Sequence, residues 1–288
     1  MKLLTQPEDG IAPLLRAVEK ATKSIDIVII RFDLKPLERA LEAAVNRDVA
    51  VRALVAHTNT GGDKGLRQLE LRLLKAGVTV ARTNNDLIRY HGKLLVIDRA
   101  KLFVLGFNYT GVDLASRSFG IQTKNPKVIR DVLGLIDADA CRTGYATTAP
   151  ELVISPENAR AQLTRFLSKT THTLEIYDPN LCDDGMLGLL KRLAKRGVEI
   201  RILGKLEKKW RGDDFDARAF PGKRLHVRAI VRDGRRAFVG SQSLRKLELD
   251  ERREVGLIVR APAIVNAIRR VFEKDWEQSS QEGKQAAA

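Results

Sequence analysis

Two histidines of this chain stand in matching surroundings. The stretch YHGKLLVIDRAKLFVLGFN holds His91, Lys93 and Asp98, and LHVRAIVRDGRRAFVGSQS holds His226, Arg228 and Asp233. Each has the form His-x-basic-x4-Asp, and a glycine follows, Gly106 fifteen and Gly240 fourteen residues after its histidine. A neutral imidazole can attack an electrophile, and a protonated one can donate to a leaving group near neutral pH. On an extended strand, the cation two residues further on projects from the same face as the histidine. Such a pair suits chemistry at an anion, because the fixed cation stabilises the negative charge of the transition state. A lone histidine on a strand is more often a hydrogen-bonded structural residue. Repetition at matching positions argues for chemistry.

The remaining histidines have no such setting. His57 lies in the turn-like HTNTGGDKG and His172 near the start of a strand, and both are read as structural. HTNTGGDKG lacks the spacing of a nucleotide-binding glycine loop. Cys141 and Cys182 are isolated from each other and from histidine, so buried free thiols are expected, with no metal site, disulfide or cofactor.

The elements that must position the two motifs are themselves repeated. GIAPLLRAVEKATKSIDIVIIRFD, from Gly10, reads as an amphipathic helix and a strand, as does ENARAQLTRFLSKTTHTLEIYDPN from Glu157. A second helix and strand follow in each case, LERALEAAVNRDVAVRALV and MLGLLKRLAKRGVEIRILG. GIQTKNPKVIRDVLGLIDAD from Gly120 matches GLIVRAPAIVNAIRRVFEKD from Gly256, with Pro126 and Pro262 where helices should start. The chain therefore reads as a tandem duplication of an α/β unit, residues 1–148 and 149–278, with a frayed tail at 279–288. Each unit is expected to carry a mixed, mostly parallel sheet flanked by helices. The join falls in TGYATTAPE, Thr143 to Glu151.

Composition bounds the partners. With 288 residues and 44% hydrophobic content the chain can bury a sizeable core, and no apolar run approaches the length of a membrane span. The opening MKLLTQPEDG has no signal-peptide core, so a cytoplasmic location is expected. Lys and Arg total 51 against 36 Asp and Glu, a net charge of +15. That surplus either solubilises the surface or attracts a polyanion. It divides almost evenly between the repeats and is densest at Lys205, Lys208, Lys209 and Arg211, followed by Arg218, Lys223 and Arg224. Aromatics make up only 5%, with Trp210, Phe215 and Phe220 near that stretch. Platforms for stacking bases are therefore few, which favours phospholipid over nucleic acid. KLEKKWRG offers a basic and aromatic edge that could rest peripherally on an anionic membrane.

The doubled motif resembles the phospholipase D superfamily, and the resemblance runs from about Leu3 to Trp276. It implies a site at a pseudo-twofold interface between the repeats, so that a monomer is complete. It also implies metal-free phosphodiester chemistry, with Lys93 and Arg228 neutralising the nonbridging oxygens. His91 would be the nucleophile that forms a phosphohistidine and His226 the general acid, an order that could be reversed. Asp98 and Asp233 would each fix an imidazole, or else simply close a turn. The GSQS turn (Gly240, Ser241, Gln242, Ser243) and Glu254 fit the family, and Asn108 and Ser243 could donate to phosphate. Three departures stand out: Arg228 replaces lysine, Gly106-Phe107-Asn108 lacks a small hydroxyl residue, and Ser118 occupies the place of the first repeat's glutamate. The expected function is a phosphodiesterase or phosphatidyltransferase acting on phospholipid. The alternatives are a nuclease of the same superfamily and a non-catalytic polyanion-binding protein.

Overall fold

The computed structural model describes every residue except 60, 207–209, 211–213, 223 and 286–288, with the backbone alone described for 280–285. Lys208, Lys209, Arg211 and Lys223 of the basic stretch thus lie outside the described residues. The first repeat runs β1 (Lys2–Gln6), α1 (Ala12–Glu19), β2 (Ser24–Ile29), α2 (Lys35–Val45), β3 (Ala50–Val55), α3 (Lys64–Lys75), β4 (Thr79–Arg82), β5 (Arg89–Tyr90), β6 (Leu94–Ile97), β7 (Lys101–Leu105), α4 (Gly111–Leu114), β8 (Ser118–Thr123) and α5 (Pro126–Cys141). The second runs β9 (Leu152–Ser155), α6 (Ala159–Ser168), β10 (Thr173–Leu181), α7 (Asp184–Lys195), β11 (Glu199–Leu206), β12 (Asp216–Arg218), β13 (Arg228–Arg232), β14 (Arg236–Gly240), α8 (Lys246–Asp250), β15 (Arg252–Val259) and α9 (Pro262–Gln285).

Local sequence accounts for these elements. α2 buries Leu37, Ala40, Leu41 and Ala44, whose spacing of three and four residues makes one apolar stripe. α5 and α9 begin at Pro126 and Pro262, where the missing N–H has no helical acceptor to lose. Asn125 caps α5 by accepting from the Lys127 amide. β6 is buried along its whole length, which explains its unbroken apolar LLVI. α9 continues past Ser279 to Gln285, into the segment expected to fray. Among the described residues neither cysteine forms a disulfide, and Cys141 is exposed rather than buried. Among the described residues no helix is long and apolar enough to cross a membrane.

Two mixed sheets result, ordered β1-β8-β7-β6-β2-β3-β4 and β12-β11-β10-β13-β14-β15-β5, with β9 paired to β15. Among the described residues the strands pair in parallel within β2-β3-β4, within β10-β11-β12 and where β5 meets β15, and isolated parallel bridges join Phe32 to Tyr109 and Arg117 to Leu225. The parallel majority expected from alternating helices and strands is not reached. β6 and β7 are joined by the tight turn at Asp98 to Ala100, and β13 and β14 by that at Asp233 to Arg235, and so short a link permits only an antiparallel pair.

Each repeat has its own apolar cluster, and a third is shared. The shared one includes Val104, Phe119 and Ile136 from the first repeat with Tyr177, Val239 and Phe272 from the second. Phe119 meets Tyr177 edge-on at 5.7 Å, and Tyr177 meets Phe272 at 5.0 Å. Such aromatic pairs are worth about 0.5–1.5 kcal/mol beyond their buried area. Two reciprocal ion pairs reinforce this seam. Arg117 of the first repeat binds Asp275 on α9 at 2.9 Å, and Arg253 of the second binds Asp139 on α5 at 2.9 Å. Each arginine also reaches back into its own repeat, Arg117 to Glu8 and the Gln6 carbonyl, Arg253 to Glu157 and the Ser155 carbonyl.

Candidate active site

The repeats exchange short strands at their seam, and those strands carry the histidines. β5 pairs with the start of β15, and the His91 amide donates to the Arg253 carbonyl at 2.7 Å. In the second repeat Leu225 bridges to Arg117, and the His226 amide donates to the Arg117 carbonyl at 2.9 Å. Each histidine backbone is therefore held by the opposite repeat. The turns after the motifs also meet here: a Cβ on Gly106 would lie 2.8 Å from the Phe119 carbonyl oxygen and 3.1 Å from that of Gly240. Only glycine permits that approach.

The motif cations take equivalent positions. Lys93 is 1% exposed and its Nζ donates to the His91 carbonyl at 2.6 Å. Arg228 Nη1 donates to the His226 carbonyl at 3.1 Å, and its Nε donates to Ser243 Oγ at 3.1 Å. Arginine thus replaces lysine without changing the anchor, and it adds a planar fork suited to phosphate oxygens. Burial pushes the Lys93 ammonium down to about 7, with Arg228 adding to the shift against the pull of Glu254. Burial and the same two cations hold both imidazoles well below the usual histidine range.

Carboxylate support differs between the histidines. Glu254, fully buried, brings both carboxylate oxygens within 2.8–2.9 Å of His91 Nδ1. Lys93 Nζ also lies 2.9 Å from Nδ1; a carboxylate accepting from Nδ1 favours the proton there and leaves the lone pair on Nε2, the tautomer a nucleophile needs. Burial raises the pKa of Glu254, and Lys93 opposes the rise. His226 instead faces Asp113 Oδ2 at 3.5 Å, an ion-pair separation at which its Nδ1 forms no hydrogen bond. Burial would raise the Asp113 carboxyl, but the charges of His226 and Arg224 and the hydrogen bonds of Arg224 and the Asn108 amide outweigh it and hold it down to about 2.

Asp98 and Asp233 do not serve the imidazoles, which corrects the expectation from the motif. Asp98 accepts from the backbone amides of Thr22, Lys23 and Ser24 at 2.7–3.1 Å, and Asp233 from those of Thr171, His172 and Thr173 at 2.7–3.1 Å. Both have left-handed backbones, with φ of 52° and 51°. They close the hairpin turns and tie them to the start of β2 or β10, the work of short polar side chains that tolerate this conformation. These backbone hydrogen bonds outweigh burial and lower both pKa values.

The supporting residues divide similarly. Asn108 donates to Asp113 through its main-chain and side-chain amides at 2.7 and 2.5 Å, leaving an unpaired acceptor, Oδ1. It holds Asp113, using one of the two N–H groups of its side-chain amide. Ser241 Oγ exchanges hydrogen bonds with the Val255 backbone, and the Ser243 amide donates to Glu248 at 2.7 Å. Asp113 is the residue that motif reading overlooks. Its counterpart is Glu248, five residues after Ser243 as Asp113 is five after Asn108, and that shared spacing is the signal that could have found it. Ser118, in the place of a glutamate, only approaches the His226 carbonyl at 3.5 Å.

Two recesses open beside this cluster. One, of about 350 Å³, is walled by Pro179, Leu206, Phe220 and Leu225, with Lys205 and Arg224 also lining it. The other, of about 310 Å³, runs from Arg31 past Leu66 and Val112 to Asp113.

Comparison with known proteins agrees with this architecture. The family described as "Cardiolipin synthase, PLD-like domain" matches residues 14–132 and 163–276, one segment in each repeat. The fold is similar to polyphosphate kinase from Porphyromonas gingivalis, with a TM-score of 0.77 at 16% identity over 94% of this chain and 49% of that one. It is also similar to phosphatidylserine synthase from Haemophilus influenzae, with a TM-score of 0.72 at 13% identity over 96% of this chain and 85% of that one. The chain thus spans about half the length of the kinase. No curated protein matches the sequence.

Proposed function

Since the chain belongs to the phospholipase D-like family, whose members are phosphodiesterases or transferases, we propose that it cleaves or transfers the phosphatidyl group of a phospholipid without a metal ion. The observation that supports this reading is the convergence of His91 with Lys93 and His226 with Arg228, each histidine facing a carboxylate from the opposite repeat. Lys93 and Arg228 hold the nonbridging oxygens. His91 Nε2 attacks phosphorus, forming a P–N bond as the P–O bond to the leaving group breaks, and His226 passes its proton to that oxygen. Water or an alcohol then returns a proton to His226 as it attacks phosphorus, and the P–N bond breaks. Binding an anionic phosphodiester offsets the repulsion from Lys93 and Arg228, and with Asp113 beside it His226 gains the proton it must donate.

Phospholipid is favoured by the 350 Å³ recess, whose apolar wall and basic residues suit an amphiphile with an anionic head. Peripheral contact with an anionic membrane and a cytoplasmic setting go with that reading. The test is a substrate panel of phosphatidylcholine, phosphatidylglycerol with and without added alcohol, single- and double-stranded DNA, and inorganic polyphosphate, run with wild type and His91→Ala. Turnover of a phospholipid by wild type alone, unaffected by EDTA, is expected, and quenching with labelled substrate should trap a phosphohistidine. Turnover confined to DNA or polyphosphate, or equal turnover by His91→Ala, overturns the reading.

A further inference from the structure

The flanks of the two motifs are built alike but charged differently. Arg89 and Arg224 each stand two residues before a motif histidine, so each shares its face of an extended strand. On the His226 flank the charge is satisfied, because Arg224 Nη1 donates to Asp113 Oδ1 at 2.5 Å and to Ser116 Oγ at 3.0 Å. On the His91 flank the register of β5 and β15 sets Arg89 against Arg252. Like charges directly opposite in a strand pair repel.

The nearby carboxylates, Glu248 and Glu254, settle that repulsion only in part. Among the described residues Arg89 forms no ion pair, and the Nε atoms of both arginines are buried without a partner. Arg252 reaches only Glu248, at 3.5 Å, a carboxylate already held by the Ser243 amide and 3.7 Å from Arg228. Arg31, which lines the recess ending at Asp113, adds a third positive charge. Two strand residues span about 6.6 Å, and two phosphates joined through a three-carbon bridge lie at a comparable separation.

We propose that Arg89 and Arg252, with Arg31 beside them, form a second anion subsite that takes a further phosphate of the substrate, one strand step from the phosphorus attacked by His91. The inference rests on the phospholipid reading and narrows it: the preferred lipid carries a second phosphate on a glycerol headgroup. The occupant supplies the counter-charge that Asp113 already supplies on the other flank.

Calorimetric titration of the full chain with propane-1,3-diyl bisphosphate and with propyl phosphate tests the subsite apart from any lipid activity. Wild type should bind the bisphosphate roughly 10- to 100-fold more tightly, the range expected from a few charge-assisted hydrogen bonds. In Arg89→Gln and in Arg252→Gln the ratio should fall towards one. Equal affinities in wild type, or an unchanged ratio in both variants, overturns the subsite. In anion-free buffer Arg89→Gln should melt no lower than wild type, since it removes one of two facing charges and breaks no ion pair among the described residues; a lower Tm would reveal an internal partner and also count against the proposal. In the lipid arm, wild type should show a higher kcat/KM on phosphatidylglycerol phosphate than on phosphatidylglycerol, and both variants should lose that preference. A preserved bisphosphate ratio with no lipid turnover removes the lipid reading and leaves the subsite standing, whereas lipid turnover with a ratio of one does the reverse. Tighter binding of a dinucleotide bearing two phosphates than of the propane bisphosphate would assign the subsite to nucleic acid, against the proposal.

Discussion

His91 and Glu254, 163 residues apart in the chain, meet through a contact of 2.8 Å between Nδ1 and Oε2. His91, the proposed nucleophile, therefore receives its orientation from the opposite repeat. Glu254→Gln keeps the shape and removes the charge, and should lower kcat by roughly 100-fold or more, within the range of acid–base contributions. Asp113→Asn should cost less, because its contact with His226 is already 3.5 Å and its charge is shared with Arg224. Steady-state kinetics of the two variants on one substrate checks the order, and equal losses would contradict the difference in support.

The pH profile should follow Lys93. With its pKa pushed down to about 7, chiefly by burial, it is a cation below that pH and a neutral amine above. The transition state needs the cation, so kcat/KM, which reports the free enzyme, should fall as pH rises through about 7. Lys93→Arg retains its charge at all these values and should move that limb to higher pH. An identical limb in both proteins would assign it elsewhere.

Asp98→Asn and Asp233→Asn should affect stability rather than turnover. Each carboxylate accepts three backbone amides, so its loss should cost about 1–3 kcal/mol. Calorimetry should show a lower Tm in each variant, with kcat close to that of wild type in the folded protein. A large fall in kcat without loss of Tm would restore the catalytic role read from the motif.

Arg253→Met should be among the most destabilising single changes. It leaves Asp139, whose pKa burial already raises to about 6 against the pull of Arg253, without its partner. Removing one member of a buried pair costs about 3–5 kcal/mol. Chemical denaturation should show that loss, and adding Asp139→Asn should recover part of it.

The residues most legible from sequence were those whose roles are local or repeated. His91, Lys93, His226 and Arg228 announced themselves by spacing, and Pro126 and Pro262 marked helix starts because proline's backbone restriction is a local property. Glu254 was legible by its place after the second motif. Asp113 was not, since Ser118 occupies the place of an equivalent glutamate, while the carboxylate facing His226 comes from five residues earlier on a short helix. The motif leaves the role of its aspartates open between imidazole support and turn closure, because a side chain in a turn near a histidine can face either way, and only the fold shows that backbone amides claim it. The clamps of Arg117 and Arg253 depend on contacts between positions more than a hundred residues apart, which no window of sequence contains.

The exchanged strands, β5 on β15 and Leu225 on Arg117, make each repeat a template for the other's histidine. The peptide between Thr143 and Pro150 contributes nothing to that exchange; its Thr147, Thr148 and Ala149 are tied back to Asp131 on α5. Covalent continuity there serves mainly to raise the effective concentration of one repeat for the other. Two polypeptides divided at Gly144 and produced together would carry every interaction that builds the cleft, making the molecule in effect a tethered heterodimer.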